Sequence, residues 1–159
     1  MPAQVFIVED EPELLRGLEL ALCADPQLHL WGTATTLTEA RQALQRSPPP
    51  DVLLLDLGLP DGSGVALIRE VRERYPGMEC MVVTIFADDA HLLASIEAGA
   101  TGYLLKDASP SQVSARIHEL LAGGAPMSPS IARRILGRLR PLPAEGMGPG
   151  AVAAPPGGR

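Results

Sequence analysis

Five polar residues stand at the ends of apolar runs, far apart in the chain, and their types fit together. Glu9 and Asp10 follow the run Gln4 to Val8, Asp56 ends Val-Leu-Leu-Leu, Thr84 closes a run that begins at Glu79, and Lys106 follows Gly102 to Leu105. Three carboxylates, a hydroxyl and an ammonium brought to one place make a site for phosphoryl chemistry. Crowded carboxylates raise one another's pKa unless a cation joins them. A hard, oxygen-seeking Mg²⁺ meets that need, taking one or more carboxylates and a phosphoryl oxygen while keeping some waters. With the cation in place a carboxylate stays ionised and can attack phosphorus, giving an acyl phosphate. Asp56 is the expected nucleophile, Thr84 a hydrogen-bond donor to one phosphoryl oxygen, and Lys106 a mobile point charge for another. Lys106 is the single lysine among 13 basic residues, and lysine and arginine do different chemistry.

Each of these residues also has a plainer explanation. An Asp after an apolar strand often only caps a turn or helix, a Thr suits a strand by its branching alone, and a lysine is usually a surface charge. Glu9, Asp10 and Glu11 would also serve as a solvated acidic turn, and Glu11 is left out of the site for that reason. The coincidence of strand ends favours the chemical reading. His29, His91 and His118 share no ligand spacing and are read as incidental.

The elements that must bring these residues together can be read from periodicity. After Pro12, Leu14, Leu15, Leu18 and Leu22 recur at helical spacing, so the first unit is strand then helix. The unit repeats, with strands near 28–32, 51–56, 79–84 and 102–105, and helices near 38–46, 64–75, 88–98 and 110–122. Within the third strand, Val-Leu-Leu-Leu-Asp from Val52 to Asp56 is a near-continuous apolar run, as a central parallel strand covered on both faces should be. Repeated βα units predict a doubly wound α/β fold, one five-stranded parallel sheet of order 2-1-3-4-5 with helices on both faces. In such a sheet ligands sit at the carboxyl ends of the strands, where the strand order reverses. That is where the five polar residues fall.

Composition narrows the classes. The chain has 159 residues and a net charge of −6, enough for one full core but not two. Residues 1–130 carry 18 acidic and 8 basic side chains, so the body is a poor nucleic-acid ligand. Cys23 and Cys80 match no metal or redox spacing and are expected to be buried thiols in a reducing compartment. No apolar run is long enough for a membrane span and no leader pattern opens the chain, so the reading is cytoplasmic. After Ala122 a Gly-Gly break leads to a short basic helix near 128–140, whose arginines read as a solvated face. The residues 141–159, with five prolines and five glycines, read as a disordered, linker-like tail.

The segments VEDEP, LLLDLGLPDGSG, VVTIFADD and GATGYLLKDASP resemble the receiver domain of two-component response regulators. Within that family they are most similar to receivers that precede a LuxR-type helix-turn-helix, the NarL/FixJ-like group. The resemblance covers about residues 3–130 and implies a receiver at 1–125, a helical extension at 126–140 and the tail beyond. It implies a flavodoxin-like fold and a phosphoacceptor, not a turnover enzyme, with at most slow self-dephosphorylation. Glu9, Asp10, Asp56 and the main-chain carbonyl of Gly58 would hold Mg²⁺, or Mn²⁺ in its place. Asp56 would accept phosphate from a phosphohistidine on a sensor histidine kinase, Thr84 and Lys106 would sense it, and Tyr103 would report the switch. The face formed by the fourth helix, fifth strand and fifth helix would then bias self-association into a phosphorylation-dependent homodimer, serving transcription regulation. Direct nucleic-acid or membrane binding by this chain is not expected. Ile85 stands where many receivers have a smaller residue, and Asp107 replaces a proline often found after the lysine.

Three other readings compete. A phosphohydrolase of the haloacid dehalogenase type needs a second Asp two positions after the nucleophile, and that position is Gly58. A receiver-shaped binding module that works without phosphate would be expected to lack the nucleophile or the acids, and all are present. A complete transcription regulator would need a further pair of apolar-periodic helices after residue 140, which this sequence does not contain.

Overall fold

The structure, a computed structural model, describes residues 1–84 and 89–139. Its elements in chain order are β1 (Ala3–Val8), α1 (Pro12–Cys23), β2 (Leu28–Ala34), α2 (Leu37–Ala43), β3 (Val52–Leu55), β4 (Gly58–Leu59), β5 (Gly62–Ser63), α3 (Gly64–Arg74), β6 (Glu79–Thr84), α4 (Asp89–Ala98), β7 (Gly102–Leu105), α5 (Pro110–Leu121) and α6 (Pro129–Leu139). The main sheet is five-stranded and parallel, in the order β2-β1-β3-β6-β7. This is the order expected from the sequence, renumbered because the two-residue pair β4–β5 intervenes as a small antiparallel hairpin.

Alternation along the strands divides the interior in two. Phe6, Val8, Leu53, Leu55, Val82 and Tyr103 face one apolar layer with residues of α2, α3, α4 and α6. Val5, Ile7, Leu54, Met81, Val83 and Leu104 face the other, against α1 and α5. All four residues of β3 are buried, as its unbroken apolar run requires.

Local signals start the helices where the sequence places them. Pro12 and Pro110 occupy the first turns of α1 and α5, where a missing N–H costs nothing. Ser109 and Gln112 form a reciprocal capping box on α5, and Thr36 and Ser63 cap α2 and α3. The structure also departs from expectation. β2 runs on to Ala34 and α2 stops at Ala43. Cys23 is exposed on the last turn of α1, while Cys80 is buried as expected. α6 is not merely a solvated basic helix: Ile131 and Ile135 are buried on its inner side. Arg140 and the tail 141–159 lie outside the described residues.

Candidate functional site

The register of the sheet places the site. Val8 pairs with Leu55, so the next residues, Glu9 and Asp56, emerge side by side from β1 and β3, the two strands flanking the point where strand order reverses. Both ends are fixed by the ladder: Asp56 N donates to Val8 O at 3.0 Å, and Glu9 N to Ala34 O at 3.0 Å. On the far side, Lys106 N donates to Thr84 O at 2.9 Å, tying the end of β7 to that of β6. Gly64 lets the following helix close over this edge, because a Cβ there would stand 2.7 Å from Asp56 O.

The side chains converge. Carboxylate oxygens of Glu9, Asp10 and Asp56 lie within 4.8 Å of one another. Lys106 Nζ hydrogen-bonds Asp56 Oδ2 at 3.1 Å and stands 3.6 Å from Glu9 Oε1. Gly58 N donates to the other Asp56 oxygen at 3.2 Å. Glu9 is 1% exposed and Asp56 and Thr84 are also buried, whereas Asp10 and Gly58 are open to solvent.

Burial has an electrostatic consequence. The Glu9 carboxyl is pushed up to about 7, first by desolvation and then by the neighbouring Asp56, against the opposing hydrogen bond from Glu11 N and the charge of Lys106. Burial alone would lower the Lys106 ammonium, but the hydrogen bond and charge of Asp56, with Glu9 behind it, hold it above the ordinary lysine value. Glu9 Oε1 is a buried acceptor without a hydrogen-bond donor. An all-oxygen cluster with one unsatisfied buried oxygen suits a hard divalent cation, and Glu9, Asp10 and Asp56 are the residues that fit it.

Other sequence-predicted residues fall differently. Thr84 ends β6 beside this cluster through the Lys106 backbone bond. Tyr103 lies apart from the carboxylates, in the apolar layer shared with α4 and α6, its hydroxyl 2.5 Å from Ser95 Oγ and 3.4 Å from Leu92 O. Burial raises that phenol to about 12, so it serves as a neutral hydrogen-bonding group. Ile85 lies outside the described residues.

Three residues with hydrogen-bond partners elsewhere in the fold escaped the sequence reading. Ser95 is a buried serine in α4 with nothing in its sequence context to mark it. Asp61 accepts from Leu37 N at 2.8 Å and from both Thr38 N and Thr38 Oγ1 at 3.0 Å, so it ties the loop after Asp56 to the start of α2. His118 is not incidental: its Nε2 lies 2.7 Å from Asp25 Oδ2, joining α5 to the turn before β2.

Comparison with known proteins agrees with this fold. The family model for the response regulator receiver domain matches residues 5–118. The DNA-binding transcriptional activator DevR/DosR of Mycobacterium tuberculosis is 35% identical over 137 residues, covering 86% of this chain and 63% of that protein. The nitrate/nitrite response regulator protein NarL of Escherichia coli K12 is 27% identical, covering 87% of this chain and 64% of its own length. The chain thus spans somewhat under two thirds of these relatives. A LuxR-family two-component response regulator from Aurantimonas sp. SI85-9A1 superposes with a TM-score of 0.78 at 28% identity, over 88% of this chain and 100% of that one. Fold, strand-end residues and family match converge: this chain belongs to the response regulator receiver domain family.

Proposed function

We propose that this receiver takes a phosphoryl group on Asp56 from a phosphohistidine of a sensor kinase and thereby changes a face that binds a partner or a second copy. The observation that carries this reading is the contact of Lys106 Nζ with Asp56 at 3.1 Å, inside a cluster that also holds the Glu9 and Asp10 carboxylates. An Asp56 oxygen attacks phosphorus, the P–N bond breaks, and its electron pair returns to the imidazole nitrogen. Lys106 then pairs with a phosphoryl oxygen, and the Thr84 hydroxyl donates to another. Glu9, Asp10, Asp56 and the Gly58 carbonyl would hold Mg²⁺ or Mn²⁺, which offsets the negative charge gathered between carboxylates and phosphoryl oxygens when bound.

Gly58, two residues after Asp56, offers no side-chain acid or base to activate water, which supports slow loss of the phosphoryl group over catalytic turnover. Residues 1–125 form the receiver in this reading and 126–140 its helical extension. Tyr103 reports the state of the site. Similarity to DevR/DosR, a DNA-binding transcriptional activator, supports an output in transcription regulation, with the DNA contacts made outside this acidic body, in the cytoplasm.

Intact-mass measurement after incubation with acetyl phosphate and Mg²⁺, beside Asp56→Ala, tests this directly. One base-labile phosphoryl group on the wild type and none on the variant is expected. Failure to label, with no divalent cation bound, would leave a receiver-shaped module that acts without phosphate.

A further inference from the structure

The chain does not leave the domain after α5. Gly123, with φ of +97°, turns it back, and Pro126 O accepts the Tyr103 N–H at 2.8 Å. The outer edge of β7, which would otherwise present an unpaired donor, is closed at that point. Gly102 permits the approach, since a Cβ there would meet Pro126 Cγ at 3.2 Å and Met81 Cγ at 3.1 Å. Ser128 Oγ accepts Ile131 N at 3.2 Å to open α6, which packs against α4. Ile131 and Ile135, one turn apart, are 3% and 7% exposed and join the cluster containing Leu92, Ala98 and Tyr103. Arg133 and Arg138 stay exposed on its other sides.

Tyr103 is therefore held twice, at its backbone by Pro126 and at its hydroxyl by Ser95 of α4. Three residues further on, Lys106 holds Asp56. One short strand thus joins the proposed phosphoacceptor to the seat of α6.

We propose that the α4–β7 face is a docking surface for an amphipathic helix, that α6 is its resident occupant, and that phosphoryl transfer to Asp56 releases α6 through β7 and Tyr103. The inference rests on Asp56 being the phosphoacceptor. A phosphoryl group on Asp56 draws Lys106 out of its 3.1 Å contact and moves the end of β7 with it. Close-packed interfaces switch between discrete arrangements and do not deform continuously. The Tyr103–Pro126 and Tyr103–Ser95 bonds and the two isoleucine contacts are therefore given up together. Linkage makes the effect reciprocal: a helix that phosphorylation releases must, while docked, weaken binding of a phosphoryl mimic by the same factor.

Hydrogen exchange of the full chain read by mass spectrometry, with and without beryllofluoride and Mg²⁺, tests this, with acetyl phosphate labelling of the same preparation as control. Amides of 129–139 are expected to exchange roughly tenfold faster with beryllofluoride, within the usual range of allosteric coupling. Ile135→Asp should show that fast exchange from the outset and bind beryllofluoride roughly tenfold more tightly by calorimetry; Ile131→Ala gives a milder second case if the first does not fold. Labelling of Asp56 with α6 exchange unchanged or slowed overturns the release, as does unaltered beryllofluoride affinity in folded variants. Absence of labelling overturns the phosphoacceptor reading and the release with it. In that event, equal α6 exchange in wild type and Ile135→Asp overturns the docking as well.

Discussion

Glu9 is the residue whose charge this site controls most, and its behaviour can be measured without any ligand. A carboxyl pushed up to about 7 by burial and by Asp56 stays protonated in the folded chain where the unfolded chain has already lost its proton. Its stabilising contribution is full below the unfolded value near 4.5 and is lost as pH rises to about 7, then changes no further. Each unit of that window costs up to about 1.4 kcal/mol. Glu9→Gln, which keeps the shape and removes the titration, should therefore gain stability relative to wild type between pH 5 and 7 in metal-free denaturant titrations. Parallel curves for the two proteins would show that Glu9 is ionised in the fold throughout. At this scale the sequence showed the strand-end residues well, because one apolar run followed by a polar residue is a local signal. Ser95, Asp61 and His118 were hidden because their partners lie 8, 24 and 93 residues away, and no local pattern encodes such a pairing.

Among the elements, the small hairpin β4–β5 has the greatest leverage on the site, since it carries Gly58 and follows directly from Asp56. It is held from two directions. Asp61 accepts three hydrogen bonds from the first turn of α2, and Leu57 and Leu59 bury into the same layer as Leu37. α2 has only seven residues, too few to persist without its cap and its packing. Asp61→Ala should leave the sheet intact while amides of α2 exchange several-fold faster, a change confined to residues 36–44 and the hairpin. Uniform loosening of every element would instead make Asp61 a general stabiliser. Gly64→Ala acts on the other end: its Cβ would meet Leu55 at 3.1 Å on the buried central strand and Asp56 O at 2.7 Å just beyond it. Overpacking of that kind typically costs about 1–3 kcal/mol, so the variant should melt lower and label more slowly at Asp56; wild-type melting would mean α3 can shift to make room. The five strands were legible because parallel βα units announce themselves by short, mostly apolar stretches, here strands of 4–7 residues. The hairpin was not, because two-residue strands have no periodicity, and the inner face of α6 was not, because three arginines mask two isoleucines spaced four apart.

For the whole molecule, the site works as a junction between two separately packed layers. β1, β3, β6 and β7 reach it through Glu9, Asp56, Thr84 and Lys106, and each of these strands sends alternate side chains into opposite layers. A ligand that binds there grips residues from distant parts of the chain, none of which converge once the chain unfolds. Binding to the folded state alone adds RT ln(1 + [L]/Kd), about 2.7 kcal/mol at one hundred times Kd. Mg²⁺ should therefore raise the melting temperature of the entire cooperative unit, and Asp10→Asn should abolish most of the rise. The effect must also depend on pH, because a protonated Glu9 has to lose its proton before it can serve as a ligand. With that carboxyl at about 7, apparent affinity falls about tenfold per unit below it, so the same Mg²⁺ concentration stabilises less at pH 6 than at pH 8. Scanning calorimetry at those two pH values, with wild type and Asp10→Asn side by side, decides the matter. Equal increments at both pH values would remove Glu9 from the ligand set and leave the cation to Asp10 and Asp56, with the buried Glu9 carboxyl acting only on the charge of Lys106.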